Sequence, residues 1–154
     1  MLETIESWNI ARDLVASKLR VPIVHRLTGL SIPQLRILWH DTHDSIPRSG
    51  KLPDSSFAFM TNRAEAAALA AFVGLHIQMF GAANDNPKHL LLSWNTHKSL
   101  LGELDINAAY YALRDVKSGM VNYVRCLGCN AQFIHEAGYY LTSVCPYCRT
   151  SPVT

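Results

Sequence analysis

All four cysteines of this 154-residue chain lie close together near its end, and their spacing limits how that part can fold. Cys126 and Cys129 are separated by two residues, as are Cys145 and Cys148, and fifteen residues lie between the two pairs. A Cys-x-x-Cys turn places two sulfurs on one edge of a tetrahedron, and two such turns joined by a hairpin arm complete a four-thiolate zinc site. Because the protein then supplies every ligand, the sequence predicts one structural zinc ion with no open position for substrate.

The residues around the cysteines are typical of short strands. The stretches MVNYVRC, QFIH and YYLTSVC are rich in aromatic and β-branched residues and predict three strands around the cysteine turns. Gly128 is expected to permit the first turn and Pro146 to stiffen the second. A ribbon of about 30 residues has too little apolar surface for a core of its own, so the metal would supply its folding energy. Redox chemistry, iron–sulfur ligation and unconnected buried thiols are the competing interpretations.

Upstream of Gly119 the spacing of the apolar residues predicts helices. The first 43 residues have helical periodicity with short breaks, a long helix is expected over about 62–80, and further helices begin near Pro87 and Asp105. Residues that typically cap helices support these boundaries. The caps are Ser31 with Gln34, Asn62 with Glu65, and Asp105.

The sequence changes character near Gly119, where helical periodicity gives way to strand-like residues. Apolar residues make up 49% of the chain and charged residues 17%, which is enough for a folded core. We therefore predict a mainly α protein. Residues 1–119 form a multi-helix body containing a helix-turn-helix-like element, and residues 120–154 form a small C-terminal zinc ribbon with four cysteine ligands.

The charge is unevenly distributed although the formal net charge is only +2. Residues 12–36 and the part from Arg114 onward carry more basic than acidic residues, whereas residues 52–113 carry more acids. Two basic ends are expected if both meet phosphates. The most apolar run, AAALAAFVGLHIQMF, is shorter than the roughly 20 residues that a membrane span needs, and no secretory signal is recognisable. A cytoplasmic location is expected, where structural disulfides are rare.

The stretch RLTGLSIPQLRILW has the pattern of a helix-turn-helix: a helix, a Thr-Gly turn, a Ser cap and a second helix. In that motif the first residues of the second helix face base edges. An ordinary helical corner with solvated arginines is the alternative. We expect DNA contacts from this element, from the loop that follows it and from the residues beside the cysteines. The residues are Arg20, Arg26, Gln34, Arg36, Arg48, Lys51, Arg125 and Arg149.

Two histidines in the stretch HDTHD, His40 and His43, raise the alternative of a metal-dependent enzyme. Their position at a helix end also suits imidazole and the helix dipole. No Ser-His-Asp motif, P-loop or Gly-rich dinucleotide loop is recognisable, so an enzyme is not expected. His135, in the arm between the cysteine pairs, is interpreted as an ordinary arm residue because four thiolates are already present.

Several segments together resemble the FlhC family, the zinc-containing subunit of the bacterial flagellar master transcriptional activator. They are LTGLS followed by LRILW, the loop RSGKLPDSSF, YYALRDVKSGMV, RCLGCNAQFIH and the closing CPYC. The resemblance covers about residues 9–148. It implies that Cys126, Cys129, Cys145 and Cys148 are the zinc ligands of a bacterial, cytoplasmic transcriptional activator.

The resemblance also implies the partners of the chain. FlhC acts in a heterohexamer with the small helical subunit FlhD, binds double-stranded promoter DNA and activates transcription with RNA polymerase. Relatives on conjugative elements switch on transfer genes, so flagellar and conjugative-transfer promoters are both candidate targets. Neither a membrane nor a small-molecule substrate is expected. The alternative is a zinc-ribbon adaptor that binds only protein.

Overall fold

The computed structural model describes residues 2–82 and 85–150, and the last four residues of the predicted ribbon lie outside the described residues. Within these ranges the fold is mainly helical and ends in a small element that carries the four cysteines, as predicted. The helices are α1 (Leu2–Ala16), α2 (Val21–Thr28), α3 (Ile32–His43), α4 (Arg63–Phe80), α5 (Pro87–Leu100) and α6 (Ile106–Ser118), with a 3-10 turn at Ser56–Phe59 and strands β1 (Asn122–Arg125) and β2 (Gln132–His135).

The helix starts follow the cap signals of the sequence. Ser31 and Gln34 form a reciprocal capping box at the start of α3, with the Ser31 hydroxyl accepting from the Gln34 N–H. The Asn62 side chain accepts from the Glu65 N–H at 2.9 Å, and Asp105 caps α6 in the same way. These bonds satisfy backbone N–H groups that the first turn of a helix leaves unpaired. Gly29, with φ 77°, ends α2 in the left-handed region and so forms the turn before α3.

Helix α4 is the centre of the molecule. It contacts α5 and α6 on one side and β2 on the other, while α1, α2 and α3 pack against one another. Its buried positions include Leu69, Phe72 and Val73, which join the main apolar core. Trp94 of α5 is 7% exposed and donates its indole N–H to the Leu104 carbonyl. Trp94 therefore belongs to this protein's own core.

The cysteine-bearing element has two strands and not the three that were expected. β1 and β2 pair antiparallel, with Tyr123 opposite Ile134. The third predicted stretch, YYLTSVC, folds instead into turns. The Thr142 carbonyl accepts from the Glu136 N–H, and the Thr142 N–H donates to the Tyr139 carbonyl. These local bonds use the backbone groups that a strand would have offered to a ladder.

The loop between α3 and the 3-10 turn is held by buried polar contacts. Asp115 of α6 is fully buried and accepts the Ser56 N–H at 2.7 Å. Arg114 donates both to Asp115 and to the Asp54 carbonyl. Arg20 reaches the same loop from the other side, because its Nη2 donates to the Gly50 carbonyl at 3.0 Å. The loop is thus fixed at its middle and at its end.

A helix that crosses a bilayer needs about 20 mostly apolar residues. None of those within residues 2–82 and 85–150 is long and apolar enough to cross a membrane. This agrees with the interruption of the most apolar run, in α4, by His76 and Gln78.

Candidate metal centre

The two Cys-x-x-Cys pairs meet, and their four sulfurs all lie within 4.8 Å of one another. Cys126 Sγ is 3.4 Å from Cys148 Sγ, and Cys129 Sγ is 3.7 Å from Cys145 Sγ. A zinc–sulfur bond of about 2.3 Å gives a tetrahedron with edges of about 3.8 Å, close to both separations. The distances are far longer than a disulfide bond of about 2.05 Å, and the four cysteines are free thiols. The geometry therefore suits one metal ion held by four sulfurs.

The two cysteine turns share one hydrogen-bond pattern. In each, the first cysteine's carbonyl accepts from the residue four positions on, Asn130 in one turn and Arg149 in the other. In each, the first cysteine's N–H donates to the carbonyl five positions on. Asn130 and Arg149 both have a positive φ, of 67° and 66°. Two equivalent turns facing each other place two sulfurs each at the centre, which explains how the residue spacing alone could predict the cluster.

Gly128 has a role that differs from the expected one. Gly128 is expected to permit the first turn through its conformational freedom, but it is not among the residues with positive φ. A Cβ at this position would instead lie 2.6 Å from Thr150 Oγ1, on the opposite cysteine turn. The missing side chain thus lets the two turns approach each other.

The thiols differ in acidity because their surroundings differ. The Thr150 hydroxyl and the Thr150 N–H, helped by Cys126, lower the pKa of the Cys148 thiol to about 6. The Ala131 N–H lowers the pKa of Cys129, but desolvation and hydrogen bonding with the other three thiols outweigh it and raise this pKa to about 11. A divalent cation among the sulfurs would favour the thiolate form of all four, because its positive charge offsets the repulsion between the negative sulfurs.

Side chains of the cysteine-bearing element fix it onto the start and middle of α4. The Tyr123 and Tyr147 hydroxyls donate to the Ala70 and Ala67 carbonyls at 2.8 and 2.9 Å. Arg63, the first residue of α4, donates to the carbonyls of Pro146 and Tyr147 in the second cysteine turn. These bonds tie both the strand and the second turn to one helix.

A small apolar cluster lies beneath the sulfurs. Phe133 of β2 is fully buried and packs with Ala70 of α4 and with Cys126 and Cys145. Val124 packs at its edge. Phe133 therefore contacts the metal-binding turns and the helical body at once, so the geometry of the cluster depends on its packing against α4.

The two parts also approach each other closely at Gly74, and this contact yields a testable prediction. A Cβ at Gly74 would lie 2.8 Å from Tyr123 Oη. We expect Gly74→Ala to lower the free energy of unfolding by about 1–3 kcal/mol, because the tyrosine must move and lose its bond to Ala70. In the Tyr123→Phe background the same change should be neutral or stabilising by up to about 1 kcal/mol, since alanine is the better helix former. Urea unfolding of the four proteins measures this coupling.

The double-mutant comparison separates close approach from a general effect on α4. Equal effects of Gly74→Ala with and without the tyrosine hydroxyl would show that the contact does not limit this position. Ala71→Gly, one turn before at a half-buried site of the same helix, serves as the control for helix propensity.

Of the two histidines that suggested a second metal site, His40 is exposed and His43 has structural contacts. His43 Nε2 lies 2.7 Å from the Val15 carbonyl, and the ring packs on Trp39 at 4.7 Å between centroids. Within residues 2–82 and 85–150, the four cysteines are the group of three or more possible ligands that converges on one point. His135 Nδ1 lies 2.9 Å from the Thr142 carbonyl, which is an arm contact. The enzyme interpretation based on His40 and His43 thus gains no support.

The residues expected to contact DNA are mostly on the surface. Arg26, Gln34 and Arg36 are exposed on α2 and α3, and Arg48 and Lys51 are exposed on the following loop. Arg125 and Arg149 are exposed beside the cysteine turns, where Arg125 donates to the Asn130 carbonyl at 2.9 Å.

Arg20 differs from the other seven. Its residue is 7% exposed, and its guanidinium donates to the Gly50 carbonyl. A phosphate contact would require it to leave this site, so its burial argues for a role in holding the loop that carries Arg48 and Lys51.

The sequence offered little signal for several contacts around the centre. Arg63 and the two tyrosines act through backbone carbonyls of a distant helix, and no local pattern marks such bonds. The burial of Asp115 could have been predicted from the sequence, because it lies among Tyr111, Ala112 and Val116 on the apolar side of α6. A charged residue at such a position needs a buried partner.

The sequence was compared with known protein families and with curated proteins. No protein-family model matches the chain. The chain is 25% identical over 160 residues to the flagellar transcriptional regulator FlhC of Gallionella capsiferriformans (strain ES-2), covering 97% of this chain and 86% of that protein. It is 24% identical over 160 residues to the protein of the same name from Cupriavidus metallidurans, covering 99% of this chain and 75% of that protein. The resemblance that the sequence segments indicated is thereby confirmed.

Proposed function

We propose, from the relationship of this chain to FlhC over nearly its whole length, that it is a DNA-binding subunit of a transcriptional activator. It acts with an FlhD-like helical partner and recruits RNA polymerase at flagellar or conjugative-transfer promoters in the bacterial cytoplasm. A heterohexamer is the assembly that the family resemblance implies. The chain is not proposed to catalyse a reaction.

The arrangement of α2 and α3 is the observation that carries the proposal of DNA binding. Gly29 turns the chain between the helices, and Ser31 caps α3 just before its exposed face. Arg36 is exposed on that face and makes no hydrogen bond or ion pair with any residue that the structure describes. A free guanidinium near the start of a second helix suits bidentate contact with a guanine.

Gln34 is suited to a narrower role. Its Oε1 accepts from the Ser31 N–H and lies 2.9 Å from the Ser31 hydroxyl, so the oxygen is engaged in the cap. Only its amide nitrogen remains to donate to a base. We propose a single hydrogen bond to a purine acceptor there, in place of the two bonds with which a free glutamine reads adenine.

The metal is proposed to be zinc, one ion per chain. Four thiolates in tetrahedral array are the ligand set that structural zinc prefers. Residues 120–154 are proposed to form a zinc ribbon on a helical body of residues 1–119. Arg125 and Arg149 flank the cysteines and would offset the double negative charge of a zinc tetrathiolate while offering cations to the DNA backbone.

The FlhD-like partner is proposed to cover apolar side chains of α1 and α5, which pack together. Ile5 of α1 and Leu92 of α5 are 56% and 53% exposed, and Trp8 is half-buried. Such side chains at a helical surface suit the apolar centre of a subunit interface.

Arg36→Ala tests the function directly. In the complex with an FlhD-like partner, we expect it to weaken binding to the target promoter by roughly 5- to 150-fold, the effect of removing one base-reading arginine. The matched control is Arg12→Ala, which removes the same charge from an exposed position on α1 outside the helix-turn-helix. Fluorescence anisotropy at several salt concentrations gives the affinities and the salt slope.

Footprinting on promoters of the host genome decides between the activator and the protein-only adaptor. The activator should protect defined sites in the presence of its partner. An adaptor would protect none, with or without partner, and its affinity for duplex DNA would lack a steep dependence on salt.

A further inference from the structure

A cleft of about 580 Å³ opens between α2, α6, the last part of α4 and the start of α5. Leu27, Leu90 and Leu113 contribute apolar walls from three different helices. This volume lies within the range of about 300–1,000 Å³ that is common for small-molecule sites. The cleft is separate from the cysteine cluster, and none of the proposed metal ligands lines it.

A buried imidazole forms part of the wall. His76 of α4 lines the cleft, is 2% exposed, and has no hydrogen-bond partner for Nε2 within the described residues. Its Nδ1 lies 2.8 Å from Ser93 Oγ. Nε2 lies on the ring edge opposite Nδ1, and His76 is the residue of α4 that lines the cleft.

The Ser93 contact fixes what kind of group Nε2 can bind. Ser93 donates its hydroxyl proton to the His89 carbonyl at 2.9 Å, so its oxygen accepts from the His76 Nδ1–H. Burial, together with the nearby His89, lowers the pKa of His76 and keeps the ring neutral. Nε2 therefore carries a lone pair, and an unsatisfied buried acceptor of this kind favours a ligand that donates a hydrogen bond.

The cations of the cleft are not equally free. Lys117 is paired with Asp85, and Arg114 is paired with Asp115. Arg26 of α2 lines the cleft, is exposed, and makes no hydrogen bond or ion pair with any described residue. Apolar walls, one unneutralised guanidinium and one buried acceptor together define a ligand with three complementary parts.

We propose that the cleft binds a small amphipathic organic anion that has an apolar body, a carboxylate for Arg26 and a hydroxyl that donates to His76 Nε2. The ligand is proposed to act as an effector. Helix α2 is the first helix of the helix-turn-helix element, so a bound ligand would contact that element directly. The binding itself does not depend on DNA recognition.

Two probes that differ by one hydroxyl test the proposal. They are 10-hydroxydecanoate and decanoate, which share a flexible apolar chain and a carboxylate. Titration calorimetry on the full-length, metal-loaded protein should give saturable binding of both, with 10-hydroxydecanoate bound about five- to tenfold more tightly. That ratio is the effect of one net hydrogen bond of about 1 kcal/mol or slightly more.

Variants assign the two polar contacts. Arg26→Gln should weaken both probes equally, and as a surface change it leaves the fold intact. Arg36→Gln, on the exposed face of α3 and outside the cleft, is the matched control and should change neither. His76→Phe should abolish the preference for the hydroxylated probe while decanoate still binds, and His76→Leu provides a second variant should the phenylalanine prove too large.

Three results would each overturn the proposal. They are the absence of saturable binding of both probes to the folded protein, equal affinities for the two probes, and affinities that Arg26→Gln leaves unchanged.

Discussion

Removing the metal from the purified protein is expected to unfold the cysteine-bearing element and to lower the melting temperature by roughly 6–20 °C. Two short strands and a few buried side chains, Phe133 and Ile134 among them, cannot order this element without the ion, since structural metal sites supply the folding energy of such small units. The loss extends to α4, because Arg63, Tyr123 and Tyr147 lose the contacts that join the two parts. A loss of about 3–5 kcal/mol corresponds to that shift at about 2–4 °C per kcal/mol.

The measurement is a thermal melt followed by circular dichroism, with a chelator, without it, and after zinc is added back. Elemental analysis should give one zinc per chain before chelation and a restored melt after re-addition. An intact melting temperature in protein that contains no metal would contradict the four-thiolate site.

Two cysteine variants distinguish a metal site from four unconnected thiols. Cys126 is buried and Cys148 is exposed. As unconnected thiols, Cys148→Ser would be nearly neutral and Cys126→Ser would be costly, because surface changes rarely exceed about 0.5 kcal/mol. As ligands of one ion, both variants should lose the metal and melt alike, since the site needs all four sulfurs.

The parts of the fold that the sequence predicted are those decided within a few residues. The Ser31–Gln34 box and the Asn62 cap depend on side chains three positions apart, so local chemistry alone determines them. Each cysteine turn belongs to the same class, because it closes on its own backbone and repeats one pattern.

The errors and omissions have a common cause in contacts between distant segments. YYLTSVC has strand-like composition, yet turn bonds around Thr142 and the packing of Tyr139, whose hydroxyl donates to the Met60 carbonyl, decide its conformation. Arg20 is basic and lies near other basic residues, but its burial follows from a loop thirty positions later. Local composition does not show that Tyr139 contacts Met60 or that Arg20 contacts Gly50.

Asp115→Ala is the second change for which we expect a large effect, a loss of about 3 kcal/mol in the free energy of unfolding. Removing one partner of a buried ion pair costs about 3–5 kcal/mol, and we take the lower end because the Arg114 side chain is 31% exposed and can be solvated. The Ser56 N–H would also lose its acceptor inside the protein. The melting temperature should fall by roughly 6–12 °C.

Two further variants separate the parts of this contact. Asp115→Asn keeps an acceptor for Ser56 and loses the charge opposite Arg114, so its effect should lie between those of alanine and the unchanged protein. Asp54→Ala removes an exposed carboxylate of the same loop, paired with Lys51 at 3.5 Å, and should cost less than about 0.5 kcal/mol. Equal effects of Asp115→Ala and Asp54→Ala would show that burial of the pair contributes nothing.

Asp115→Ala also tests whether the buried contact supports the proposed DNA surface. Asp115 holds the end of the loop that carries Arg48 and Lys51, and Arg20 holds its middle. Loosening the end should speed proteolytic cleavage within residues 44–55, because an unanchored loop opens without unfolding the core. If those two cations contact phosphates, Asp115→Ala should also weaken DNA binding at temperatures where the protein is fully folded. An unchanged DNA affinity together with faster cleavage would remove Arg48 and Lys51 from the proposed surface and leave Arg36 as its centre.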